Sequence, residues 1–379
     1  MTSLRPVRGE TTDVVAALSR WLAEVDEPAA LIVETSGSTG RPKRVELSRR
    51  ALLASADATH ERLGGAGCWL LALPVTYVAG LQVALRSLRA GRPPIVVDGD
   101  WVAAVQEAGS GRCYTSLVPT QLHRLLEDPA TTDALARLDA VLLGGGPIDP
   151  VLRARAEDAG VTVVATYGSS ETSGGCVYDG VPLAGVEITI DDSGRLLIGG
   201  PMLFDGYEGD PELTAATLVG GWLVTSDLGR FEDGRLQVLG RVDDVVISGG
   251  VNVPTPAVAA RLREHPEVAE CHVIGVPDEE WGQRVVAFVR PNVASQPDEA
   301  GASTCRSWPL DLPKVATRPV LGDASAVGAV REWVASGAGI DRRWAPRQVV
   351  VVDAFPLLEN GKLDRLALRS LATSRRQLQ

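Results

Sequence analysis

A chain of 379 residues, 45% hydrophobic and 22% charged, has the size for two domains and the make-up of a soluble globular protein. Its formal charge of −11 excludes a broad nucleic-acid surface, though not a nucleotide, whose phosphates need only local backbone N–H groups and one or two cations. No apolar run reaches the ~18 residues of a membrane span, no secretory signal opens the chain, and the five cysteines (Cys68, Cys113, Cys176, Cys271, Cys305) lie singly, pointing to a reduced cytoplasm rather than a disulfide framework or zinc site.

Residues 12–25 place Val14, Val15, Leu18, Trp21 and Leu22 at helical spacing. Residues 29–33 read as a short buried strand that runs into a glycine-rich loop, and a helix is expected to start near Ser48. Strand-like runs at 69–73, 95–97, 141–143 and 161–166, with helical stretches between several of them, predict a largely parallel α/β layer. From Gly185 the texture changes to short alternating strands at 186–190, 195–198, 222–224 and 235–239, separated by Asp-Ser-Gly or Asp-Gly turns, which predicts an antiparallel β subdomain.

A boundary is expected at 240–244, dividing the chain into domains 1–240 and 241–379. In the second, a helix at 255–264, strands at 268–276 and 284–289, a helix near 326–335 and a strand at 348–352 predict a small α+β domain. Residues 291–325, rich in Pro, Ser, Ala and Asp and without periodicity, read as a mobile loop or insertion.

Four segments carry chemistry. Thr35, Ser36, Gly37, Ser38, Thr39 and Gly40, followed by Lys43, supply tight turns, hydroxyls, backbone donors and a cation directly after an apolar strand, the needs of a phosphate grip. The spacing is not that of a Walker A loop, because Pro42 and Lys43 follow the glycine and Arg44 follows the lysine. Thr166, Tyr167, Gly168, Ser169, Ser170, Glu171 and Thr172 follow a strand and combine an aromatic ring, hydroxyls and one acid, suiting a base, a phosphate and a divalent metal, although a plain turn has the same look. Asp227 after a strand reads equally as an Asx turn, and Lys362 after Asn360-Gly361 as a surface lysine. Yet only three of the 37 basic residues are lysines, and Lys43 and Lys362 are two of them, which suggests that a compact ammonium is needed there.

In this order the segments resemble the superfamily of acyl- and aryl-CoA synthetases, peptide-synthetase adenylation domains and luciferases, over residues 31–365. The resemblance implies a large N-terminal adenylation domain, reduced at its start because the phosphate loop begins at Thr35, and a small mobile C-terminal domain with the active site between the two. It implies ATP, Mg2+ and coenzyme A as substrates and cofactors. The loop from Thr35 to Lys43 would hold the β- and γ-phosphates, Tyr167 would stack on adenine beside Gly144, Gly145, Gly146 and Pro147, and Thr172 would contact the α-phosphate. Glu171 would bind Mg2+, Asp227 the ribose hydroxyls with Arg241 nearby, and Lys362 would reach the carboxylate and α-phosphate. Asp243 matches the hinge, and Gly249 and Gly250 the pantetheine tunnel, so that no cysteine need be catalytic.

Within the superfamily, residues 116–122, 142–148 and 174–180 resemble the o-succinylbenzoate–CoA ligase branch of menaquinone biosynthesis, in the short form of actinobacteria. Tyr77, with Gly80 after it, stands where many relatives have histidine and is expected to shape the acid pocket. The partners expected are a carboxylic acid, ATP and CoA, with neither nucleic acid nor membrane span; a homodimer is compatible with this reading. Alternatives are a CoA ligase for another aryl or acyl acid, an enzyme loading a separate carrier protein, and a relic that only senses acyl-AMP.

Overall fold

The computed structural model describes residues 2–35, 42–266, 268–291, 324–337, 340–357 and 363–376. It is a mixed α/β chain in two compact units, one formed by the residues up to Thr225 with Gly229–Val238, the other by Ser226–Leu228 and the described residues from Leu239 onward. Among the described residues, no helix is long and apolar enough to cross a membrane.

The first unit is organised by a seven-stranded sheet in the order Val181–Pro182, Gly174–Tyr178, Val163–Ser169, Ala140–Leu143, Cys113–Leu117, Cys68–Leu71, Ile95–Val96. The last five are mutually parallel, and the first two close the sheet antiparallel. Three of the parallel strands are buried at every position, as a sheet covered on both faces requires. Their side chains alternate between two cores. Trp69, Leu71, Tyr114 and Leu142 pack with the helices Thr11–Ala23, Arg49–Arg62 and Val78–Arg89, whereas Leu70, Cys113, Val141 and Leu143 pack against Trp101–Ala108, Pro119–Leu125 and Pro150–Asp158.

A three-stranded antiparallel sheet sets Lys43–Leu47 between Leu31–Thr35 and Gly206–Tyr207. The helix expected near Ser48 is Arg49–Arg62, with the Ser48 hydroxyl accepting from the Ala51 N–H at 3.4 Å. The alternating strands after Gly185 form a five-stranded sheet built from Glu187–Ile190, Arg195–Gly199, Trp222–Glu232, Leu218–Val219 and Arg235–Arg241.

The second unit is an α+β fold. Its sheet runs Val251–Pro254, Val245–Ser248, Gly282–Pro291, Val268–Asp278, with Gln348–Val351 added parallel to Gly282–Pro291. Val285, Ala287 and Val289 face a core shared with Val258 and Leu262 of the helix Thr255–Arg263, and Val286 and Phe288 face Leu368 and Ala372 of the helix Arg365–Arg376. Most of the expected loop at 291–325 lies outside the described residues.

Candidate active site

Ser36, Gly37, Ser38, Thr39 and Gly40 of the expected phosphate loop lie outside the described residues, but both ends of that segment are placed. Thr35 pairs with Lys43 in antiparallel register, so a hairpin holds the loop. Arg44, next to Lys43, is neutralised by Glu208 at 2.7 Å and Glu34 at 3.8 Å. Among the described residues Lys43 has no such ion pair: its Nζ lies 5.1 Å from the centre of the Tyr207 ring.

Residues 166–172 leave the strand Val163–Ser169, make the 3-10 turn Ser170–Thr172 and return as Gly174–Tyr178. The return passes so close to Gly168 that a Cβ there would run into the Gly174 carbonyl. Thr172 is completely buried; its hydroxyl accepts from the Ser169 N–H at 2.8 Å and donates to the Gly174 carbonyl at 2.7 Å. In this structure the expected phosphate ligand therefore also locks the loop. Glu171 is held at both ends, its carbonyl by the Phe204 N–H at 2.9 Å and its Oε1 by the Tyr207 hydroxyl at 2.8 Å. Burial, then the Glu171 carboxylate, push the Tyr207 phenol above its ordinary range, so it stays a donor.

The residues expected on the adenine side fall on the same sheet edge. Gly144, Gly145, Gly146 and Pro147 follow the carboxyl end of Ala140–Leu143, beside the strand that carries Tyr167. Thr166 Oγ1 donates to the Leu143 carbonyl at 3.2 Å, and the Gly144 N–H to the Leu117 carbonyl at 3.2 Å, tying adjacent strand ends together. Tyr77 occupies the N-cap position of the helix Val78–Arg89, beyond the end of the parallel strand Cys68–Leu71. Gly80 lies in the first turn of that helix, where a Cβ would meet the Pro74 carbonyl. Ligands of open α/β sheets bind at this carboxyl edge.

Deeper on the same helix, away from this edge and beside Trp69 near the amino end of its strand, Arg86 is a buried cation that the sequence did not flag. It is 3% exposed, stacks 5.1 Å from the centre of the Trp69 ring, and has an Nε without a hydrogen-bond partner. Among the described residues no carboxylate pairs with it, and burial lowers its pKa. Gln82, one turn earlier, packs against Gly174 and also has an unbonded buried Oε1. The signal available in the sequence was the i, i+4 spacing of two polar residues inside an apolar helix.

Within the second unit, Arg241 Nη1 donates to Asp227 Oδ1 at 2.9 Å, bringing these two expected ribose residues together. Asp243 follows in the turn Val242–Asp244, where its neighbour Asp244 accepts from Arg365 at 2.6 Å. Gly249 and Gly250, with φ of 57° and 76°, form the two-residue turn of the hairpin Val245–Ser248 and Val251–Pro254. A Cβ on Gly249 would come within 2.6 Å of the Trp281 ring, over which Arg347 stacks at 3.4 Å. Lys362 lies outside the described residues.

The family model for AMP-binding enzymes matches residues 12–208, and that for the AMP-binding enzyme C-terminal domain matches residues 257–362. The chain belongs to the AMP-binding enzyme family. This family member is 44% identical to a probable 2-succinylbenzoate–CoA ligase of Mycobacterium tuberculosis, over 91% of this chain and 85% of the relative. Among solved structures it is similar to o-succinylbenzoate CoA synthetase from Bacillus subtilis in complex with an acyl-adenylate intermediate, with 26% identity, a TM-score of 0.68, and 89% of this chain and 68% of that chain covered. It is also similar to the amide bond synthetase McbA from Marinactinospora thermotolerans, with 29% identity, a TM-score of 0.71, and 90% and 68% covered.

Proposed function

We propose that the chain is an o-succinylbenzoate–CoA ligase of menaquinone biosynthesis, working in the cytoplasm. The observation that carries this reading is the 44% identity to a probable 2-succinylbenzoate–CoA ligase along most of both chains. In the first step a carboxylate oxygen attacks the α-phosphorus of ATP, forming acyl-AMP and releasing pyrophosphate. In the second the CoA thiol attacks the acyl carbon and AMP leaves.

Attack by a carboxylate on a phosphate brings anions together, so the protein must supply positive charge and alignment. The loop from Thr35 to Lys43 takes the β- and γ-phosphates, Tyr167 stacks on adenine against residues 144–147, and Asp227 with Arg241 takes the ribose. Thr172, locked to Gly174 and Ser169, sets the loop that faces the α-phosphate. Lys362 bridges the carboxylate and the α-phosphate. The domain from residue 241 then turns about Asp243, and Gly249 and Gly250 leave room for the pantetheine arm.

Glu171 fits the expected Mg2+ on the chemistry of its donors. Its carboxylate is a hard oxygen ligand, one oxygen of which is fixed by Tyr207, leaving the other for a cation whose remaining ligands would be phosphate oxygens and water. When bound, Mg2+ neutralises phosphate charge as it develops.

O-succinylbenzoate has two carboxylates, and only one is activated. The likeness to an amide bond synthetase favours a second reading, in which an amine rather than CoA takes the acyl group. Product analysis with CoA or an amine as the only acceptor separates the two: the acyl-CoA thioester supports the ligase, and an amide formed in preference overturns it.

A further inference from the structure

We propose that Tyr207 is a positioning residue that keeps Lys43 and Glu171 from neutralising each other, so that both charges remain available to the nucleotide and its metal. The inference rests on the adenylating function proposed above and adds to it a residue outside the motifs.

Tyr207 lies opposite Val45 in the antiparallel pairing of Gly206–Tyr207 with Lys43–Leu47. Lys43 is two residues from Val45 and so shares its face of the sheet, diagonal to Tyr207. The Lys43 ammonium accordingly sits 5.1 Å from the ring centre, while the hydroxyl at the far end of the same ring donates to Glu171 Oε1 at 2.8 Å. One side chain thus contacts the cation with its π face and the anion with its O–H. Among the described residues neither charge has an ion-pair partner, whereas the adjacent Arg44 has two.

The ring has little freedom to leave this position. The residue is 5% exposed, and Phe204 packs edge-on to it at 4.9 Å between centroids. Its backbone N–H donates to Thr214 Oγ1 at 2.8 Å. The flanking residues dock on both functional segments: the Glu208 N–H on the Arg44 carbonyl, the Asp205 N–H on the Glu46 carbonyl and the Phe204 N–H on the Glu171 carbonyl, each at 2.9 Å. Movement of the phosphate hairpin is thereby coupled to movement of the Glu171 loop. Without the ring, a lysine and a glutamate on neighbouring segments would pair, and each would lose the charge its ligand requires.

Two variants of the full chain separate the tether from the spacer, with ATP binding measured by calorimetry with and without Mg2+, in the absence of any acid. Tyr207→Phe keeps the ring under Lys43 and releases Glu171; it should leave metal-free ATP binding within about twofold and raise the Mg2+ concentration for half-maximal tightening about tenfold. Tyr207→Leu removes both contacts and should also weaken metal-free ATP binding about tenfold. Adding Glu171→Gln to Tyr207→Leu should restore that affinity to the level of Glu171→Gln alone, a rescue that a merely structural tyrosine would not give. An unchanged Mg2+ requirement in Tyr207→Phe, or no rescue in the double variant, overturns the proposal. Wild-type chain that binds Mg-ATP with this pattern yet makes no thioester from any acid would sink the ligase reading and leave the role of Tyr207 standing.

Discussion

Arg86 lies 5.1 Å from the centre of the Trp69 ring, with its guanidinium almost wholly removed from water. Next to it, His60 is held neutral, its pKa lowered to about 4 first by burial and then by Arg86. Stacking on an indole lowers the cost of burying a cation without cancelling it, so Arg86 remains a costly group in the core.

Arg86→Met should therefore leave stability unchanged or raise it, by up to about 2 kcal/mol, because it removes a buried cation that no carboxylate among the described residues pairs with. Urea denaturation of the variant and the wild type at neutral pH provides the check. A loss of more than about 1 kcal/mol would show that the stacked guanidinium stabilises the core instead.

Lys362→Ala should abolish most adenylation, by about a hundredfold or more, while thioester formation from preformed acyl-AMP persists. Single-turnover assays of each half-reaction measure this. Equal loss in both would contradict the assigned role.

Asp227→Ala should weaken ATP binding by about tenfold, through lost ribose contacts and the release of Arg241 from its 2.9 Å hydrogen bond. Calorimetry reads the effect directly, and an unchanged affinity would take Asp227 out of the site.

Stability should fall as pH drops from about 6.5 to about 4. In that window the unfolded chain binds a proton at His60 that the folded chain does not, so stability rises with pH, by at most about 3 kcal/mol from this one group. The Trp69 Nε1–H donates to His60 Nε2 at 3.4 Å, and protonation would remove that acceptor. His60→Gln should flatten the acid limb of a denaturation-against-pH curve; a slope equal to wild type would show that other groups set it.

The parts of the site that were legible in the sequence are those where functional chemistry follows directly on an apolar strand. Residues 166–172 stand out because a hydroxyl- and glycine-rich run ends a strand, and the structure sets it beside residues 144–147 at one sheet edge. The strand Cys113–Leu117 was not legible, because Thr115 and Ser116 interrupt its apolar pattern. Both are buried all the same, and Thr115 Oγ1 is satisfied by the Leu70 carbonyl at 2.9 Å. Lys43–Leu47 was missed for a related reason: three of its five residues are charged, and tertiary ion pairs such as Arg44 with Glu208 and Arg5 with Glu46 support it. Arg86 and Arg89 look alike in sequence, yet Arg89 bonds Asp57 at the surface while Arg86 turns into the core. Tyr207 is invisible to any motif because its role depends on strand pairing across more than 160 residues.

The most direct test is pyrophosphate release from Mg-ATP with o-succinylbenzoate, benzoate, acetate and a medium-chain fatty acid, with and without CoA, followed by identification of the product. The account predicts selective turnover with o-succinylbenzoate and its CoA thioester as product. Preferential turnover of another acid, or release of pyrophosphate without thioester when CoA is present, would contradict it.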